Sequence, residues 1–284
     1  MSSRNWKKKS PEGNIKPLIK ILIILLGAIY TIPPSLPASI VTPALPAPDS
    51  PAGKEGLTFQ SLITRLSILD EPVSREGSGR FSARGPGEYY QLQFRLIARG
   101  PEAVRLEIYD PFGQPIFYII SYLGVTRVLS LVQKKEVPFN PSLFGPWSTI
   151  SHMPATEILK LFWGRVPLFP YISVRVITGD KPERDSLQMI LAGPIEQELW
   201  ITPHPFTLAK AILKDREKKG ELEITFSLFS SIAGSQIPMQ FEVKGNNGEN
   251  TLTFRYETLI LRPDIPDDTF SFPEIPTAPP APNL

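Results

Sequence analysis

The side chains best suited to move a proton or hold a metal near neutral pH are His152 and His204, the two histidines of this 284-residue chain. They stand in unrelated proline-flanked turns, His152 ahead of Met153-Pro154 and His204 between Pro203 and Pro205. Neither has a second ligand at i+3 or i+4, so the spacing supports no metal site. Asp267-Asp268 could pair as an acid and a base, but adjacent carboxylates in a proline-bounded turn are ordinarily solvated. Gly77-Ser78-Gly79 lacks the G-x-S-x-G frame of a nucleophile elbow, and there is neither a P-loop nor a G-x-G-x-x-G stretch. The chain has no cysteine, which excludes disulfides, thiol catalysis and lipidation at an N-terminal cysteine. The expectation is a protein that is not an enzyme and uses no cofactor and no metal.

Binding chemistry is better represented. The chain carries 16 Phe, 8 Tyr and 4 Trp, and one ring stands where solvated residues are usual: Phe112, in the turn Asp110-Pro111-Phe112-Gly113. Asp110 can bond nearby backbone, Pro111 presets φ and Gly113 tolerates φ > 0. Two readings follow for Phe112. It folds back to cover the core, or it stays exposed to touch a membrane or lipid.

The elements that hold this turn are strands. Val104, Leu106 and Ile108 alternate with Arg105, Glu107 and Tyr109, and a second apolar run, Ile116 to Tyr122, returns from the turn. Glu88 to Arg99 puts Leu92, Phe94 and Leu96 on one side. Late in the chain the alternation is clearest, with Leu222, Ile224, Phe226 and Leu228, then Ile237, Met239, Phe241 and Val243, then Leu252, Phe254 and Tyr256. Short turns such as Lys218-Lys219-Gly220 and Asn246-Asn247-Gly248 connect these runs as an antiparallel meander of about eleven strands. Two helices interrupt it. Gly56 to Asp70 carries a 3.6-period stripe of Phe59, Leu62, Ile63, Leu66 and Leu69. Ile158, Leu159, Phe162 and Trp163 share a face of a short apolar helix that ends at Gly164. This second helix is either a plug in the core or a lid over an opening. The fold class is β-dominated α+β, with one curved antiparallel sheet and a few short helices on its concave face. That concave face accepts a lipid chain unless the helices fill it.

The ends of the chain differ from its middle. Residues 1–38 hold six Lys/Arg and one acid, leaving a mildly acidic remainder that does not suit nucleic acid. The apolar run Ile21–Ile32, 12 residues or about 18 Å as a helix, follows a basic segment as in an export signal. It is a cleaved signal or, counted from Pro17, an inner-membrane anchor, and in both cases the following chain is exported. The organisation is therefore a basic and apolar signal or anchor over 1–32, a Pro-rich linker over 33–52, one domain over 53–276 and a Pro-rich tail over 277–284.

Several stretches together resemble the bacterial lipoprotein-localisation factors, the LolA/LolB family, and LolB in particular. They are the N-terminal helix, the GRFSAR strand at 79–84, Arg105-Leu106-Glu107-Ile108-Tyr109-Asp110-Pro111-Phe112-Gly113, and Leu161-Phe162-Trp163-Gly164-Arg165-Val166-Pro167. Glu198-Leu199-Trp200-Ile201 and Asp267-Asp268-Thr269-Phe270 add to them. The resemblance implies an unclosed half-barrel whose helices cover an acyl-chain cavity. It further implies a monomer on the periplasmic side of a Gram-negative-type envelope, with a lipid or lipoprotein acyl chain and the membrane surface as partners. On it, Leu92, Phe94, Leu106, Ile108, Phe226 and Phe241 line the cavity, and Phe162 and Trp163 belong to the lid. Phe112 takes the place of the LolB leucine that works at the membrane. Two departures stand out: the lipidated cysteine of LolB is absent, and no residue matches the arginine that latches the LolA lid. A non-transport sensor or scaffold with a filled cavity is the other reading of the same half-barrel.

Overall fold

The computed structural model describes residues 59–67, 74–100, 102–137, 146, 149–150, 153, 155–178, 187–232, 234–245 and 248–272. The expected signal or anchor, the linker, the tail and His152 lie outside the described residues. Helix α1 (Phe59–Ser67) forms on the expected stripe: Leu62 and Leu66, one turn apart, are buried, while Gln60, Thr64 and Arg65 are exposed. Among the described residues no helix is long and apolar enough to cross a membrane.

The first half of the sheet is a meander of β1 (Ser74–Gly85), β2 (Glu88–Arg99), β3 (Ala103–Tyr109), β4 (Pro115–Tyr122), β5 (Val125–Ser130) and β6 (Lys135–Val137). Helix α2 (Ala155–Leu159) then runs into a 3-10 turn, Lys160–Trp163. The second meander follows as β7 (Ser173–Thr178), β8 (Leu187–Ala192), β9 (Ile195–Pro203), β10 (Phe206–Asp215), β11 (Gly220–Ile232), β12 (Ser235–Gly245) and β13 (Asn250–Leu261), with a closing 3-10 turn at Asp267–Phe270.

All described strands form one unclosed antiparallel sheet in the order β6-β5-β4-β3-β2-β1-β13-β12-β11-β10-β9-β8-β7. The two meanders therefore meet at a single seam, β1 against β13, where Phe81 faces Phe254. The edges are β6 and β7, neighbours in sequence and farthest apart in the sheet, with α2 between them in the chain. Thirteen strands exceed the eleven or so expected. Lys135–Val137 is too short to show alternation, and Ser74–Ser78, dominated by polar and small residues, hides the start of β1.

The concave face gathers the main core, which runs from Leu62 and Phe81 through Leu199 and Leu213 to Val243. A smaller core lies on the other face of β2–β4, where Ile97, Ala103 and Ile120 are covered by Ile265 and Phe270. Phe270 stacks on Tyr122, with centroids 5.6 Å apart and planes 7° from parallel. The Arg105 Nη1 donates to the Thr269 carbonyl at 3.0 Å, which ties down the C-terminal segment. Asp267 is ion-paired with Arg99, and hydrogen bonding from that guanidinium holds its carboxyl below the usual range. The Asp267-Asp268 pair is thus part of a clasp on the outer face.

Candidate functional site: a filled half-barrel, an exposed turn and a cleft

The inside of the half-barrel centres on Phe162. The 3-10 turn buries Leu161, Phe162 and Trp163 in succession and is closed by Gly164 in the left-handed region, φ 69°. The Gly164 N–H donates to the Leu161 carbonyl at 2.9 Å, and a β-carbon there would stand 2.7 Å from the Pro238 ring. Four rings from three strands surround Phe162: Phe94 at 6.2 Å, Phe241 at 5.1 Å, Phe254 at 5.0 Å and Tyr256 at 6.4 Å between centroids. All meet it edge-on, the arrangement favoured by ring quadrupoles.

The six expected lining residues, Leu92, Phe94, Leu106, Ile108, Phe226 and Phe241, lie together in one buried cluster on β2, β3, β11 and β12. They are 1–5% exposed and packed in one cluster with Phe162 and Trp163. In this structure the side chains of Phe162 and Trp163 fill the space beside them. Trp163 and Phe162 likewise act as a plug in this state, because three successive apolar residues on a 3-10 turn cannot all face away from the sheet.

Phe112 is placed otherwise. It is 88% exposed at the tip of the β3–β4 turn. The Asp110 Oδ1 accepts from the N–H groups of Phe112 and Gln114, each at 2.8 Å, and Gly113 takes φ 80°. Buried Asp110 therefore fixes the turn, and the Phe112 ring makes no contribution to the core. Tyr89, beside the β1–β2 turn, and Val132, in the β5–β6 turn, are exposed at the same end of the sheet.

At the opposite end, where the β9–β10 and β11–β12 turns lie, a cleft of about 210 Å³ opens beside the plug. Arg75, Trp163, Arg165, Phe206, Gln236 and Ile237 are among the residues lining it. Arg75 is 4% exposed, and its guanidinium lies over the Trp163 ring at 5.1 Å. Its Nε and Nη1 are buried with no hydrogen-bond acceptor, as is the Tyr256 hydroxyl. Burial lowers the Arg75 pKa to about 10 and pushes the Tyr256 phenol up. The alternation rule places Arg75 on the inward face with Gly77, Gly79 and Phe81. Sequence reasoning passes over it because glycines, not apolar residues, occupy the intervening inward positions. Those glycines make room for Tyr256, whose ring stands 2.8 Å from where a Gly77 β-carbon would be.

His204 lies exposed in the β9–β10 turn, and no cluster of metal-ligating side chains occurs among the described residues. The buried Glu107 is satisfied by Arg105 Nε at 2.7 Å and by the Tyr109 hydroxyl. Burial together with Glu107 pushes the Tyr109 phenol up to about 12.

Fold and site define a one-sheet, unclosed half-barrel whose inside is filled by the side chains of a short 3-10 turn. No family model matches the sequence, and no curated protein matches it. Among solved structures the chain is similar to a LolA superfamily protein from Nitrosomonas europaea, with 16% identity over 76% of this chain and 98% of that one and a TM-score of 0.54. It is also similar to an outer membrane lipoprotein-sorting protein domain from Vibrio parahaemolyticus, with 9% identity over 71% and 90% and a TM-score of 0.50. At these identities the likeness establishes the fold alone, a single unclosed antiparallel sheet with a few short helices.

Proposed function

We propose that this protein is an exported envelope protein that shelters an acyl chain of a lipid or lipoprotein in its half-barrel and serves in lipoprotein or lipid transfer or sorting, in the manner of LolB. The observation that carries the reading is the position of Phe162, an apolar ring on a short 3-10 turn at the centre of an unclosed sheet. An acyl chain takes the place of this ring when the turn moves out. Burying a Phe side chain is worth about 3 kcal/mol, and each buried methylene about 0.8 kcal/mol, so about four methylenes match what the ring gives up. A longer chain holds the open state, and release needs only a better apolar site elsewhere. The basic and apolar N-terminus supports export, and the exposed Phe112 supports contact with a membrane surface during transfer.

The test is native mass spectrometry of the protein purified from membranes-containing lysate, followed by delipidation and reloading with a diacylated lipopeptide. An adduct of acyl-lipid mass, lost on delipidation and regained on reloading, is expected. Protein that never carries or takes up lipid would overturn the reading. The packed interior favours a second one: a sensor or scaffold of envelope assembly whose half-barrel stays filled, which predicts that lipid-free outcome.

A further inference from the structure

We infer that the cleft at the Arg75 end of the sheet is a binding site for an anionic group, a carboxylate or phosphate. Arg75 is a charge held inside the protein with two of its in-plane donors unanswered. The Trp163 ring covers the face of the guanidinium, and a ring on the face leaves the edge N–H groups without acceptors. Buried charges are ordinarily paired, because an uncompensated one is strongly destabilising. Even with its lowered pKa, Arg75 is protonated at neutral pH.

Among the described residues, the lining of the cleft supplies no acceptor to the Arg75 Nε and Nη1, which suits a partner from outside. Among the described residues its charged lining is Arg75 and Arg165, joined by the neutral polar Thr207, Ser235 and Gln236. The Arg165 guanidinium lies 5.8 Å over the Phe206 ring and so stands at the wall of the same space. A planar fork matches a carboxylate or phosphate in two-point fashion. The volume, about 210 Å³, falls below the ~300 Å³ at which ligand pockets begin, so it fits a head group or a small anion.

Trp163 adjoins the plug residue Phe162, so a chain entering the half-barrel and an acid at Arg75 can belong to one amphiphile. The anion site does not depend on the acyl-chain reading, and the two fail separately. Thermal unfolding of the full chain is followed with dodecyl phosphate below its micelle threshold, dodecanol and inorganic phosphate, for wild type and Arg75→Met. Dodecyl phosphate is expected to raise the wild-type midpoint in proportion to the logarithm of its concentration. Arg75→Met is expected to bind it at least tenfold more weakly, while its ligand-free midpoint equals or exceeds that of wild type. If inorganic phosphate binds as tightly, the site stands and its occupant is a free anion; if it binds far more weakly, the occupant is a lipid head group. Equal wild-type shifts from dodecanol and dodecyl phosphate would overturn the site while leaving the acyl-chain reading intact, and this comparison decides even if Arg75→Met does not fold. No shift from either anion, or full affinity in Arg75→Met, overturns it as well.

Discussion

The Phe162 ring stands edge-on to Phe241, with centroids 5.1 Å apart and planes at 89°. The pair joins the connecting turn to the sheet at the centre of the half-barrel. Phe162→Ala removes the ring and leaves an apolar void, so a loss of about 3–5 kcal/mol is expected. If the void is an acyl site, dodecanol raises the midpoint of the variant by more than that of wild type. Calorimetry with and without the alcohol checks this, and equal shifts would argue for a permanently filled core.

Phe112 touches nothing that its replacement could destabilise. Phe112→Glu is expected to change stability by no more than about 0.5 kcal/mol, as for other surface positions. Sedimentation with anionic liposomes is expected to fall several-fold in the same variant. A collapsed midpoint, or undiminished liposome binding, would remove the turn from the functional account.

The seam between the two meanders depends on a missing side chain. A β-carbon on Gly79 would stand 2.0 Å from the Arg255 carbonyl oxygen, at the register shift between Ser78 and Gly79. Gly79→Ala is expected to lose about 1–3 kcal/mol or more through forced separation of the strands. Gly85→Ala, whose β-carbon meets Asn250 at 3.5 Å, is the control and should lie close to wild type in urea unfolding.

Glu76 makes stability depend on acidity. Burial alone would raise its pKa, but hydrogen bonds from Arg95 Nε and Nη2, at 2.9 and 2.6 Å, and from Arg262 hold it below the usual value. A carboxyl lowered in the folded state contributes fully above its unfolded pKa of about 4.3 and loses that contribution as pH falls through the folded value. Glu76→Gln should therefore be weaker than wild type by about 1 kcal/mol or less at pH near 7, as for partly exposed pairs. In urea titrations that difference shrinks as the solution is acidified below the carboxylate range; a constant difference would assign the effect to packing.

Much of the sheet was legible because its strands obey a two-residue period. Phe226, Phe241 and Phe254 declare one face through alternation alone, and the turn chemistry of Asp110 and Gly113 is local. What pairs with what was not legible, since the β1–β13 seam joins residues about as far apart as the domain allows. The clasp of Arg99 on Asp267 is non-local in the same way. Arg75 was hidden by a different cause: in a polar, glycine-rich stretch nothing marks which charge turns inward. Whether the concave face was open or filled was a question of volumes, and periodicity carries no information about volume.

The sheet order has a consequence for how the chain acquires its structure. Each meander is built from hairpins between consecutive strands, whose contacts close quickly. The β1–β13 ladder, which pairs Arg75 with Leu261, must wait for loop closure across nearly the whole domain. Until then both strands are bare edges of half-sheets, each able to pair with another chain. During synthesis the first meander emerges well before its partner strand, so this interval is when assistance or aggregation is decided. Pulse-labelled hydrogen exchange during refolding should find β10–β12 amides protected before the β1 amides that bond to β13; simultaneous protection would mean that the two halves condense together.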